Sequence, residues 1–228
     1  MMIKQYIKKV YKLVKKVDID YSSEIKTISL IRFYWPYLLM RLRSYLFLRT
    51  VGYIGPSVIL KNRSNIDLST HFKMGEGVEI CGLSSKQNRI GKSFSIGRFS
   101  KIRSTALPSS LGTGFFIGDY VGMGDFCYLG CFGGVTIGDE TIIGERLLIH
   151  SDIHDFSDIN ENIRDLECIK RPVNIGKRCW IGSNVIILGG TTIGNDCVIG
   201  AGSVVTKSFP SGSVIAGNPA SLIKSRKI

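Results

Sequence analysis

The chain has 228 residues, 44% hydrophobic and 21% charged, a globular composition with enough length for a substantial core. Cys81, Cys127, Cys131, Cys168, Cys179 and Cys197 form no CxxC pair and join no histidine at metal-ligand spacing; they read as free thiols of a cytoplasmic protein, with neither disulfides nor a metal expected. The net charge of +12 is concentrated, with eleven Lys or Arg against three Asp or Glu in residues 1–50, yet no nucleic-acid-binding motif accompanies it, so nucleic acid is not an expected partner.

In residues 1–17, Ile3, Ile7, Val10, Val14 and Val17 fall on one helical stripe, and Lys4, Lys8, Lys12, Lys15 and Lys16 cover much of the remainder. This pattern predicts a basic amphipathic helix. The recurring lysines leave no uninterrupted apolar run, so no secretory signal is expected. Residues 25–50 mix Phe33, Tyr34, Trp35, Leu38, Leu39, Leu46 and Phe47 with Arg32, Arg41 and Arg43, and Pro36 breaks the apolar stretch. That is poor material for a membrane-spanning helix. Two compatible roles are open for residues 1–50: a cap on the segment that follows, or peripheral contact with an anionic membrane.

From residue 51 a six-residue period takes over. Its clearest run is Ile175, Ile181, Ile187, Ile193, Ile199 and Val205, and the same step links Ile137, Ile143 and Ile149. Ile117, Met123 and Leu129 form another set, and Ile90, Ile96 and Ile102 a further one. Ile54, Leu60, Ile66, Phe72 and Val78 are weaker candidates. A period of six is neither helical nor that of an ordinary strand. It suits short extended segments joined by tight corners, three to a coil, whose stacked coils pair as parallel strands and bury a column of aliphatic side chains. Glycine after the aliphatic position would tolerate the corner's backbone geometry. A second inward position, holding Cys127, Thr141, Cys179, Val185, Thr191, Cys197 and Ser203, accounts for three cysteines as small core residues. The expected organisation is a helical segment over 1–50, an all-β solenoid over 51–210 and a tail over 211–228. The register breaks at 108–116, at Val135–Thr136 and at 155–174, and such excursions are common places for function.

Four stretches stand out: IHSDIHDFSD (149–158), PVNIGKRCWIGSNVIILGG (172–190), TIGNDCVIGAGSVVTKSFP (192–210) and AGNPASLIK (216–224). In this order and spacing they resemble the hexapeptide-repeat acyltransferases, especially sugar O-acetyltransferases of the maltose, galactoside and capsule or O-antigen type. The resemblance implies a left-handed parallel β-helix, a homotrimer with sites between subunits, acetyl-CoA as co-substrate without a metal, and a sugar or glycan hydroxyl as acceptor.

The same resemblance implies His154 as catalytic residue, and the chemistry agrees, since a sugar hydroxyl must lose its proton as it attacks and imidazole is suited to take it. His150, which shares a hexad with His154, is a candidate substrate contact or a surface residue. Asp152 and Asp155 flank His154 and are candidates to orient it or to bind sugar hydroxyls. The family's usual asparagine on the preceding coil corresponds to Gly124 here, with Asp125 beside it as a candidate substitute. For the CoA arm the resemblance implicates Trp180, Gly182, Ser183, Ala201, Thr206 and Lys207, and for its phosphates Lys224 and Arg226. N-acetylation of an amino sugar and a non-catalytic β-helix scaffold remain alternatives, because a fold alone does not define an activity.

Overall fold

The computed structural model describes residues 25–105 and 108–226; the basic helix predicted over residues 1–17 lies outside the described residues. From Gly52 onward the chain winds through three parallel sheets in turn. Sheet A takes Gly52–Ile54, Phe72–Met74, Ser95–Ile96, Gly122–Met123, Ile142–Ile143, Trp180–Ile181, Val198–Ile199 and Ser213–Gly217. Sheet B takes Ile59–Lys61, Glu79–Cys81, Lys101–Arg103, Tyr128–Gly130, Leu148–His150, Ile186–Leu188 and Val204–Val205. Sheet C takes Ile66–Leu68, Asn88–Ile90, Phe115–Ile117, Val135–Ile137, Val173–Ile175 and Thr192–Ile193. Each coil is therefore one strand from each sheet, and successive coils are joined by backbone hydrogen bonds.

The six-residue period marks the residues that fill the middle of this prism. In sheet A the inward column runs Ile54, Met74, Ile96, Met123, Ile143, Ile181, Ile199 and Ile215 in strict register. Matching columns in sheets B and C complete a single continuous core. Cys127, Thr141, Cys179, Val185, Thr191, Cys197 and Ser203 are all buried, as expected of the second inward position.

At the N-terminal end the register differs from the expected one. Leu68, Met74 and Ile80 occupy the main column, while Ile66, Phe72 and Val78 take the second inward place. The 3₁₀ turn Arg63–Asn65 adds two residues there. Strand side chains face inward at every second position, so a shift of two leaves the same aliphatic pattern in the sequence.

The irregular segments all fall at one corner. Every step from sheet C to A or from A to B keeps six residues, as from Ile137 to Ile143 to Ile149. Only the passage from B to C varies, as from Leu60 to Leu68, Ile80 to Ile90, Ile102 to Ile117, Leu129 to Ile137 and Ile149 to Ile175. This relocates the expected breaks. Phe115 and Phe116 are already in sheet C, so that excursion ends at Gly114. Val135 and Thr136 are paired, and the added residues are Cys131–Gly134. The last regular strand before the long excursion ends at His150, and Val173 and Asn174 have rejoined sheet C.

The corner glycines work differently from the expected way. Left-handed backbone falls two residues after each of them, at Phe99, Phe126, Arg146 and Asn184 on the A-to-B corner and at Tyr120, Glu140, Arg178 and Asp196 on the C-to-A corner. What glycine supplies is clearance. A Cβ on Gly138 would lie 2.7 Å from the backbone of Gly176 and Lys177, and one on Gly182 would lie 2.6 Å from the Ala201 nitrogen. The next residue then ties adjacent coils: Asp119, Asp125, Asp139 and Asn195 each accept a backbone N–H from the neighbouring coil through a side-chain oxygen.

Ahead of the coils, Thr27–Leu48 forms one helix that runs through Pro36 without a break and ends at Arg49, whose N–H donates to the Tyr45 carbonyl. One face, with Tyr37, Met40, Ser44 and Leu48, meets the first coils: the Tyr37 ring meets Tyr53 edge-on and Lys73 Nζ donates to the Tyr37 hydroxyl at 3.2 Å. At the far end Ala220–Ser225 folds back antiparallel on Ser213–Gly217 and covers the last strand edge of sheet A.

Gly138 and Gly122 differ sharply in clearance. Gly138→Ala should cost about 1–3 kcal/mol by forcing neighbouring coils apart. Gly122→Ala should change stability by no more than about 0.5 kcal/mol, because its Cβ would meet nothing nearer than Ser95 Oγ at 3.5 Å. Urea unfolding of both variants checks the contrast.

Candidate active site

The excursion after His150 does not leave the coil as a disordered loop. Asp152–His154 pairs antiparallel with Cys168–Lys170, so a two-stranded arm projects from the B-to-C corner. Its root is fixed by Ser151, which is fully buried; its Oγ donates to the Gly130 carbonyl at 2.7 Å and accepts the Gly133 N–H at 2.9 Å. Side chains alternate between the faces of a strand, and the pairing sets Asp152 opposite Lys170 and His154 opposite Cys168. One face of the arm thus carries a carboxylate, an imidazole, a thiol and an ammonium, and the other carries Ile153 and Ile169.

His154 is exposed on that polar face. The Cys168 thiol donates to Asp152 Oδ2 at 3.3 Å, and burial first, then the adjacent Asp152 carboxylate, pushes the thiol up to about 11. Cys168 therefore stays protonated near neutral pH and serves Asp152 as a hydrogen-bond donor, not as a nucleophile. Lys170 Nζ donates to the Leu111 carbonyl at 2.8 Å and sits over the Phe132 ring, which ties the arm to the neighbouring excursion. Between them lies a groove of about 500 Å³ lined by Ser110, Phe132, Glu167, Cys168, Ile169 and Lys170.

His150 is exposed at the end of its sheet B strand, with its ring 5.5 Å from that of Tyr128 on the previous coil. It shares the arm's corner but not its polar face. Asp155 accepts the Ser157 N–H at 2.9 Å, and this hydrogen bond holds its carboxyl below the usual range. That is an Asx-type turn shaping the excursion.

The remaining candidates lie elsewhere on the coil. Asp125 is on the A-to-B corner, where it accepts the Arg98 N–H at 2.7 Å and receives Arg98 Nη2 at 2.8 Å. Burial raises its carboxyl, but the hydrogen bonds from the Arg98 side chain and backbone outweigh burial and leave it lowered. Within one chain it is a coil-to-coil tie to Arg98 and, like Gly182 on the same corner, it lies on a different edge from His154. Gly182, Ser183 and Ala201 stack on that same corner, and Trp180 stands exposed on sheet A just before it. Ser183 Oγ accepts the Glu145 N–H at 3.3 Å, a structural tie like that of Asp125. Thr206 and Lys207 follow the last sheet B strand, two coils along from His150. Lys224 lies opposite Val214 in the C-terminal hairpin, and Arg226 Nη1 donates to the Asp196 carbonyl at 2.8 Å.

Residues 172–207 match the bacterial transferase hexapeptide (six repeats) family model. The chain is 41% identical over 118 residues to a putative lipopolysaccharide biosynthesis O-acetyl transferase of Escherichia coli, covering 48% of this chain and 59% of that one. A probable acetyltransferase of Mycobacterium tuberculosis is 36% identical over 156 residues, covering 68% of this chain and 50% of that one. The galactoside O-acetyltransferase of E. coli is 41% identical over 90 residues, covering 40% of this chain and 43% of that one. The chain thus spans only about half the length of the curated relatives it matches. Among solved structures, an N-acyltransferase from Bacillus cereus superimposes with a TM-score of 0.52 at 20% identity, covering 81% of this chain and 87% of that one, a likeness of fold.

Cys168 and Lys170 escaped the sequence reading because an excursion separates them from their partners. The signal was faint: DIH and CIK are two three-residue strings with the same polar–Ile–polar alternation. Alkylation of Cys168 by iodoacetamide, followed by peptide mass spectrometry, should be slow at pH 8 and accelerate only as pH approaches about 11. Asp152→Asn removes the charge that opposes thiolate formation and should raise the rate at pH 8 severalfold.

Proposed function

We propose that this chain is an acetyl-CoA-dependent O-acetyltransferase that acts on a hydroxyl of a sugar or glycan precursor, with His154 as general base. The observation that carries the reading is an exposed imidazole on the polar face of an ordered arm, in a chain whose next coils match the transferase hexapeptide model. The names of the lipopolysaccharide and galactoside relatives support the acceptor class. In the reaction His154 takes the hydroxyl proton while the oxygen attacks the thioester carbonyl. The C–S bond then breaks, and the departing thiolate recovers the proton from the imidazolium. Holding both substrates in one cleft supplies much of the remaining rate enhancement.

The corresponding architecture is a left-handed β-helix over residues 51–210, carrying a helical segment over 1–50 and a tail over 211–228. A homotrimer completes it. Gly182, Ser183 and Ala201 occupy one edge of the prism and His154 another, so in a single chain the proposed CoA edge and the proposed base are apart. Three-fold assembly sets the first edge of one copy against the second edge of its neighbour. Thr206, Lys207, Lys224 and Arg226 remain the proposed outer contacts of CoA. A cytoplasmic protein at the inner face of the cell membrane fits a lipid-linked or surface-destined glycan.

Acetyl-CoA turnover with a panel of sugar acceptors, amino sugars included, tests the reading. His154→Ala should lower acceptor-dependent turnover by about 10²–10⁴-fold with CoA binding unchanged, and full activity in that variant would exclude the mechanism. Mixed assembly tests the shared site. His154→Ala and Ala201→Trp subunits, each inactive alone, should recover about a quarter of wild-type activity when co-assembled at equal ratio, because one interface in four then combines two intact edges.

A further inference from the structure

The helix Thr27–Leu48 has a second apolar face that the coils leave uncovered. Ile28, Ile31, Trp35, Leu38, Leu42 and Tyr45 are spaced three and four residues apart in strict alternation, which places them on one narrow stripe along the helix. All six are 38 to 69% exposed, whereas the face bearing Met40 and Ser44 is buried against the protein. Nothing in the core explains six large apolar side chains held in solvent in a row, and contiguous exposed patches of this kind mark a contact surface.

The charges beside the stripe say what kind of surface it meets. Spacing of this kind also suits a helical partner, and a coiled coil normally sets acidic residues of one helix against basic residues of the other at the flanking positions. Here Arg32 and Arg41 flank the stripe on opposite sides, with Arg43 a step further round and Arg49 at the C-terminal end. No Asp or Glu occurs anywhere from residue 25 to residue 66. A second copy of this helix would therefore bring only like charge to the flanks. An anionic bilayer surface complements both features, taking the apolar stripe into the acyl boundary while Arg32 and Arg43 reach the headgroup phosphates. The stripe holds Trp35 and Tyr45, residue types favoured at that depth. Among the described residues no helix is long and apolar enough to cross a membrane, which fits a helix lying in the interface plane.

We infer that Ile28, Ile31, Trp35, Leu38, Leu42 and Tyr45 dock the full chain onto an anionic lipid bilayer, with Arg32 and Arg43 on phosphate headgroups, while Arg41 stays against Tyr53 of the first coil. The stripe points away from the coils, so docking orients the prism as well as attaching it. The inference stands independently of the proposed acetyl transfer.

Co-sedimentation of the full chain with sucrose-loaded vesicles of phosphatidylcholine and phosphatidylglycerol (3:1) tests it. Wild type is expected to pellet with these vesicles, to remain in the supernatant with pure phosphatidylcholine, and to be released as salt rises. Leu38→Glu/Leu42→Glu should reduce the bound fraction at least tenfold, whereas Ile159→Glu, at a still more solvent-exposed apolar site on the excursion, should bind like wild type. Circular dichroism melting confirms that the variants are folded. In a Trp180→Phe background, which leaves the stripe intact, Trp35 fluorescence should shift to the blue on addition of anionic vesicles and be quenched by brominated acyl chains. Equal binding of wild type and Leu38→Glu/Leu42→Glu, or no shift of Trp35, overturns the inference and leaves attachment, if any, to other residues. If sedimentation velocity shows a larger assembly for wild type than for Leu38→Glu/Leu42→Glu in the absence of lipid, the stripe's occupant is another copy of the chain and the inference fails.

Discussion

The close approach of one coil to the next governs this molecule. Parallel strands in a sheet lie about 4.8 Å apart, and at the A-to-B and C-to-A corners that spacing leaves no room for a Cβ on residues such as Gly138 and Gly182. Once glycine is set there, the residue after it ties the adjacent coil through its side chain, and the one after that turns the chain through a left-handed conformation. Tyr120, Phe126, Glu140 and Arg178 adopt that conformation although it is uncommon for such side chains. Repetition of the same three-residue corner stacks them in register.

Two rigid corners leave the third to absorb all variation. Insertions between sheets B and C lengthen a coil without disturbing the register of either sheet, since each strand still meets its neighbour at the same column. Asn88 shows how such insertions are held. Its buried side chain donates to the carbonyls of Asn65 and Gly82 and to Ser84 Oγ, and it accepts the Phe115 N–H at 2.9 Å. Polar groups that a regular coil would pair with one another are here satisfied by one amide. The arm bearing His154 is the longest of these insertions, and its root at Ser151 is secured in the same manner.

The period of six was legible because it is a packing requirement repeated many times over. Where the hexads were weak, as from Ile66 through Phe72 to Val78, the period could not distinguish the main inward place from the second one, because both accept apolar residues. The excursion beside His154 was legible from its polar composition and from the break in the period. The residues across the arm from it were not, because antiparallel pairing between Asp152–His154 and Cys168–Lys170 depends on where the excursion turns back, which no local period encodes. The tie of Asp125 was hidden for a related reason: the preceding coil supplies Arg98, a contact between residues far apart in sequence.

The arm also bears on how the chain reaches its folded state. Successive coils in sheet A are 18 residues apart from Ile181 to Ile199 but 38 apart from Ile143 to Ile181, because the excursion lies between. Closing a loop twice as long costs about 0.6 kcal/mol more in chain entropy. That is a modest figure for stability, yet it falls at one step of a stack whose coils otherwise add on to close neighbours. Folding that spreads coil by coil along the axis therefore meets its largest entropic step where Ile142–Ile143 must find Trp180–Ile181. The coils before the arm and the coils after it are set apart as two segments, each richer in short-range contacts than the junction that joins them.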